Sequence, residues 1–194
     1  MIIVTTYIIG MITVNNVKFH STINGPRKQV FKDFYHKSNT PAITKRERSF
    51  LVLRQNKVVY TCFKSGFINV TGVRSIADIQ KTIEHLAFYL GISGEDFSTI
   101  KIDNIHASCT LPEEKINLRK LIKILPVDSK LKIKETRYNR QRFPGLTIKT
   151  KIGSILWFSS NKVLITGCNS QASLTACKEL IDHIYAEWIN AAVI

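Results

Sequence analysis

Acidic residues are scarce in this chain of 194: Asp and Glu number 14 against 28 Lys and Arg, leaving a formal charge of +14. Folding does not require so large a basic excess. It points to a polyanionic partner, and nucleic acid fits better than an anionic membrane surface, so no membrane partner is expected. Cysteine is sparse as well. Cys62, Cys109, Cys168 and Cys177 are scattered, with no C-x-x-C pair and no histidine at zinc-finger spacing; this disfavours a thiolate metal site and leaves reduced, packed thiols of an intracellular protein. Long apolar runs are missing too. The opening MIIVTTYIIGMITV contains three threonines, lacks a basic leader and is too short to span a bilayer, so it reads as a β-strand. No carboxylate cluster, glycine-rich phosphate loop or nucleophile motif stands out, and His20, His36, His85, His106 and His183 show no metal-ligand spacing. Neither catalysis nor a cofactor is expected.

What is present is a core and a repeat. Hydrophobic residues make up 44% of the chain, enough to support one sizeable domain or two small fused ones. Thr71 and Thr166 stand 95 residues apart, as do Gly72 and Gly167, Phe63 and Phe158, and Ser75 and Ser170. Upstream the offset drifts to 93 between Phe50 and Phe143 and to 88 between Asn16 and Asn104, as a few loop insertions and deletions would produce. Two diverged copies of one unit therefore fill the chain, over 8–92 and 98–190. Each reads as strand, helix, strands, helix. The first helix follows a proline in each copy: Gly25-Pro26 before RKQVFKDFYHK, and Leu111-Pro112 before EEKINLRKLIKIL. The closing helix opens at Ser75 with Asp78 in a capping-box-like pattern and carries Ile76, Ile79, Ile83, Leu86 and Leu90 at helical spacing. Leu174, Leu180, Ile181, Ile184 and Trp188 repeat that stripe, which is core, while His85 and His183 fall on the helix surfaces.

In KVLITG, Val163 and Ile165 point one way and Lys162, Leu164 and Thr166 the other; in FINVTG, Ile68 and Val70 oppose Phe67, Asn69 and Thr71. The amphipathic helices need a face to cover, so Val163, Ile165, Ile68 and Val70 form the inner set. The opposite face then carries Leu156, Phe158, Leu164, Thr166, Thr61, Phe63, Asn69 and Thr71, with Arg54, Lys149 and Lys162 nearby. Such a face suits either another protein or the minor groove of DNA. The groove floor has few distinguishing hydrogen-bond groups, so apolar and hydroxyl side chains fit it while basic residues meet phosphates. Paired phenylalanines at the ends would wedge between base steps.

Read together, RFPGL (142–146), FSSNKVLITG (158–167) and IKIDNIHASC (100–109), with the fainter TVNNV (13–17) and SGFINVTG (65–72), resemble the TATA-box-binding protein family over essentially the whole chain. This family is the type case for the aromatic wedge, so that mechanism comes with the resemblance and is not an independent derivation. The resemblance implies an α+β fold of two tandem pseudo-symmetric repeats, forming one saddle-shaped curved antiparallel sheet with helices on the convex face. It implies that Phe50, Phe63, Phe143 and Phe158 intercalate and that Asn16 and Asn104 bond base edges. By the same likeness Thr71, Thr166 and Leu164 face the groove floor, with Leu156 and Asn69 beside them, while Lys149 and Lys162, joined by Arg54, meet phosphates. Two departures follow. Lys18, His106 and Asn69 stand where the family has small apolar residues, which makes the platform more polar. The loop that carries acidic, factor IIB-binding residues in the family is here ETRYNRQR, with Asn139 and Gln141 at the matching places among Arg137, Arg140 and Arg142.

The function expected is that of a divergent transcription initiation factor that binds and bends double-stranded promoter DNA through the minor groove. A viral origin is compatible with the Ile, Lys and Asn richness, which suits an AT-rich genome. Other initiation factors or RNA polymerase components are the expected partners, without the standard factor IIB contact, in the nucleus or at the site of viral transcription. The alternative is a protein-interaction adaptor that keeps the saddle but binds DNA weakly. An enzyme using the fold as an accessory part has little room, because the repeats consume the chain.

Overall fold

Burial alternates along the central strands. Val163, Ile165, Ile68 and Val70 are fully buried, whereas Leu164, Thr166, Asn69 and Thr71 between them are half-buried, as a strand period of two requires. The computed structural model describes residues 11–25, 29, 31–34, 43–47, 49–112, 115–125 and 133–192. These fall into two compact units, Val14–Asn104, and residues 11–13 with the described part of Ile105–Ile194.

In the first unit the strands run antiparallel in the order β2 (Ile43–Arg46), β3 (Phe50–Gln55), β4 (Val58–Phe63), β5 (Phe67–Val73), β1 (Thr13–Thr22). The second unit repeats the plan as β6 (Lys101–Thr110), β10 (Lys162–Cys168), β9 (Ser154–Trp157), β8 (Leu146–Lys149), β7 (Glu135–Arg137). Helical residues 29 and 31–34, here α1, bury Phe31. Helix α2 (Ile79–Leu90) covers one face of the first unit's strands, where the Tyr60 hydroxyl donates to the Thr82 carbonyl at 3.4 Å. Helix α4 (Gln171–Ala192) covers those of the second, bringing Cys177 Sγ within 3.7 Å of Cys168 Sγ. All four cysteines are free and buried. The large side chains sealed between helix and sheet include Trp157, Tyr60, Phe19, Leu51 and Ile105, each contributing about 1.5–3 kcal/mol by leaving water.

The expected helix stripes are core at Ile79, Ile83, Leu86, Leu90, Leu174, Leu180, Ile181 and Ile184, whereas Trp188, near the end of α4, is only half-buried. Ile76 is only half-buried because it lies in a 3₁₀ turn, Ile76–Asp78, capped by Ser75, whose Oγ accepts from the Ala77 amide at 3.1 Å. Ser170 caps α4 reciprocally: its Oγ accepts from the Ser173 amide, and its own amide donates to Ser173 Oγ, both at 3.1 Å. His85 and His183 are exposed on the helices, as expected.

Two expectations are corrected. The helix placed after Pro112 starts later, at α3 (Leu118–Leu121), because the Ile116 amide is drawn to the Ser159 carbonyl at 2.9 Å and Asn117 Oδ1 then caps the Arg119 and Lys120 amides. In the opening segment, residues 1–10 lie outside the described residues, and of 11–14 only Thr13 and Val14 belong to a strand.

Each unit contains a register shift next to its long first strand. Val17 pairs with Val73 and Phe19 with Val70, so Thr71 and Gly72 form a bulge; Ile165 pairs with Ala107 and Cys168 with Ile105, leaving Thr166 and Gly167 in the equivalent place. Both glycines take positive φ, +94° and +81°, which side chains disfavour. They differ in what surrounds them. A Cβ at Gly72 would lie 2.1 Å from the Lys57 carbonyl oxygen, whereas at Gly167 the nearest atom outside its neighbours is 3.6 Å away. Gly72→Ala is therefore expected to cost about 2–3 kcal/mol, and Gly167→Ala about 1 kcal/mol from backbone strain alone. Urea denaturation of the two variants checks the order; equal losses would contradict it.

Candidate nucleic-acid interface

The uncovered face of the first unit is assembled by cross-strand register. Arg54 opposes Val59, Val52 opposes Thr61 and Phe50 opposes Phe63; Val59 and Thr61 in turn oppose Thr71 and Asn69, and Asn69 opposes His20. Apolar, hydroxyl and amide side chains therefore share one surface, with Arg54 and Lys18 exposed on it. Phe50 and Phe63 sit with ring centroids 5.9 Å apart, and Phe67 extends the row at 5.9 Å from Phe63. Beyond it the His20 ring lies 5.2 Å from Phe67, and His20 Nδ1 is 2.7 Å from Asp103 Oδ1. Sequence alternation places Phe67 on this face without giving it a role, and it gives none to His20. The repeat offset pairs Phe67 with Lys162, and that contrast is the signal by which Phe67 could have been found.

Asn16 serves the fold directly. Its Oδ1 accepts from the Gly72 amide at 2.7 Å and from Thr71 Oγ1 at 3.2 Å. The bulge would otherwise leave a backbone donor unpaired, so the asparagine expected to read a base also fixes the strand beneath it. Asn16→Ala is expected to lower stability by about 1–2 kcal/mol, the cost of a stranded, partly buried donor, while Asn16→Asp, which keeps the acceptor, loses less. Thermal melts of both variants test this. Asn104, Thr166 and Gly167 are likewise engaged.

In the second unit Leu164 opposes Ser108 on one side and Leu156 on the other, Thr166 opposes Ser154, and Leu156 opposes Thr147. These side chains are half-buried, as are His106 and, at the boundary of the first unit, Asn104. Phe143 and Phe158 meet edge to face, centroids 5.7 Å apart, with Phe143 38% exposed. Gly145 makes this possible: a Cβ there would lie 2.7 Å from the Phe143 ring and 3.1 Å from that of Phe158.

The basic residues are not equivalent. Lys162 is exposed at the end of β10 opposite Thr110. Lys149 is held by Glu135 at 3.2 Å, and Glu135 is also bonded by Arg137. Hydrogen bonding from Lys149, opposed by desolvation and reinforced by Arg137, holds the Glu135 carboxyl below its usual range. In the next loop Asn139 is a turn former: its Oδ1 accepts from the Gln141 amide at 3.1 Å, and its carbonyl from Arg142 and Phe143 at 3.0 and 2.9 Å. Arg140, Gln141 and Arg142 are exposed, beside a recess lined by Tyr138, Asn139, Arg142 and Phe143 among others. Among the described residues no group of acidic, histidine or cysteine side chains could hold a metal ion.

A family model described as "Transcription factor TFIID (or TATA-binding protein, TBP)" matches residues 12–91 and 99–187. The TATA-box-binding protein of Methanocaldococcus jannaschii is 32% identical over 134 residues, 66% of this chain and 68% of that protein. That of Thermoplasma acidophilum is 27% identical over 127 residues, 63% of this chain, and the chain spans 65% of its length. The solved structure of Methanococcus jannaschii TBP superposes with a TM-score of 0.63 at 26% identity, covering 91% of this chain and 98% of that one. The two-repeat architecture, the antiparallel sheet strands and the helices over them are thus those of one fold, and the chain belongs to the TATA-binding protein family, a family of non-enzymatic transcription factors.

Proposed function

We propose that this protein is a divergent transcription initiation factor that binds double-stranded promoter DNA through the minor groove and bends it. The observation that carries the reading is the recurrence, in both units, of a close phenylalanine pair at the end of an uncovered face, 5.9 Å apart in one and 5.7 Å in the other. Partly exposed aromatic pairs flanking shallow apolar and hydroxyl positions suit a groove floor poor in hydrogen-bond groups, with wedges at the outer base steps; TATA-binding proteins are themselves the type example of that mechanism. Selection of binding sites from random duplexes, with purified protein at stated salt, tests it. Enrichment of one AT-rich motif supports promoter binding. Absence of any enrichment favours the second reading, an adaptor within a transcription complex, for which the polar Lys18, His106 and Asn69 on the same face argue. Either role places the protein where transcription starts, in a nucleus or at a viral transcription site.

The lysines provide a further check. A phosphate contact releases counterions, so each one lost flattens the slope of log affinity against log salt by about 0.9. Lys162→Ala is expected to show close to that change on cognate and scrambled duplexes alike. Lys149→Ala should show less, since Lys149 is already paired with Glu135. Salt titrations by fluorescence anisotropy measure both, and a larger effect at Lys149 would reverse the assignment.

A further inference from the structure

The two uncovered faces differ at one equivalent set of positions. In the first unit Asn69 is flanked in register by His20 on β1 and Thr61 on β4. In the second, Leu164 is flanked by Ser108 on β6 and Leu156 on β9. The repeat offset of 95 residues pairs Asn69 with Leu164 and Thr61 with Leu156, and the offset of 88 pairs His20 with Ser108. The strand register therefore superposes a polar trio on a largely apolar one. Asn69 is half-buried, and among the described residues its amide makes no hydrogen bond. His20 is oriented by its partner: Nδ1 lies 2.7 Å from Asp103 Oδ1, which fixes the plane of the imidazole ring beside Asn69.

In the minor groove an A·T pair shows only acceptors, whereas a G·C pair adds the guanine N2 amino donor. A leucine pressed onto that amino group would bury a donor without a partner, while an asparagine oxygen would satisfy it. We propose that Asn69, supported by His20 and Thr61, is a specificity-determining residue that accepts from the guanine amino group, so that the half-site read by the first unit takes a G·C pair where the half-site read by the second demands A·T. The inference rests on the minor-groove reading above. It makes the target asymmetric and gives the bound factor a direction.

The test combines site selection with inosine, which pairs with cytosine but lacks the N2 amino group. Wild-type protein is expected to enrich a motif with G·C in one half only. It should lose about tenfold in affinity when that guanine is replaced by inosine, the range of a single base-pair change. Asn69→Leu, which copies the residue at the equivalent position of the second unit, should remove the preference, and Leu164→Asn should create one in the other half. The inosine comparison needs no variant, so it stands even if a substitution disturbs folding. A wild-type motif of A·T pairs in both halves, or a guanine preference indifferent to inosine or to Asn69→Leu, overturns the inference and leaves promoter binding intact. No motif at all removes promoter binding itself, and the inference with it.

Discussion

Replacing Phe143 and Phe158 together by alanine is expected to cut DNA bending by about half and cognate affinity by about a hundredfold, while binding to random duplex changes little. The reason is a division of labour. Nonspecific affinity comes from counterion release by basic side chains, which these substitutions leave in place. Unstacking a base step comes from an apolar surface inserted into it, and in the second unit the surface proposed for that role is one aromatic pair, closed up by Gly145 and exposed at Phe143. The fold should tolerate the change, because the edge-to-face contact is worth about 1 kcal/mol beyond burial and neither ring belongs to the fully buried core. Fluorescence transfer between the ends of a labelled duplex measures the bend. A duplex that stays straight with the wild-type protein would sink the wedge mechanism, and a double variant that bends as the wild type does would clear these residues of it.

Period-two alternation and helical stripes are local, and both were legible: Ile68, Val70, Val163 and Ile165 are inner, and Ile83, Leu86 and Ile181 are core. The repeat offset was legible as well, because Thr71 and Thr166 occupy matching strand positions, opposite Val59 and Ser154, which keep the same offset. What escaped depends on partners distant in sequence. The bulge at Thr71 and Gly72 exists only relative to β1, so the acceptor role of Asn16 could not be read from FINVTG. The start of α3 is decided by a carbonyl at Ser159, beyond any local capping signal. His20 and Asp103 are 83 residues apart. The candidate interface was thus legible as a set of residue types on alternating positions. The bonds that orient those side chains were not, and they decide which atoms remain for a ligand.

The same distinction governs the partner surface. A family member that recruits factor IIB through an acidic loop needs carboxylates there, and here the loop between β7 and β8 carries Arg140 and Arg142, both exposed, on a turn locked by Asn139. Glu135, the nearest carboxylate, is already shared between Lys149 and Arg137, so it has little negative charge left to offer. Arg137 is likewise engaged, which leaves Arg140 and Arg142 as the groups a partner would meet. A basic loop against a basic partner surface loses attractive pairs and gains repulsion, and like charges brought together at an interface cost several kcal/mol. Recruitment of a cellular factor IIB to the DNA-bound protein is therefore expected to be weaker by a hundredfold or more than for an acidic-loop family member. Arg140→Glu with Arg142→Glu should recover part of that loss, steeply so at low salt, where exposed charges act over the longest range. The arginines themselves suit an acidic surface on a dedicated initiation factor or flanking DNA phosphates. Pull-down on a promoter duplex separates these outcomes: the arginine-to-glutamate variant should gain cellular factor IIB and lose the native partner. Tight recruitment of the cellular factor by the wild type, undiminished by the double reversal, would show that this loop is not where the partner binds.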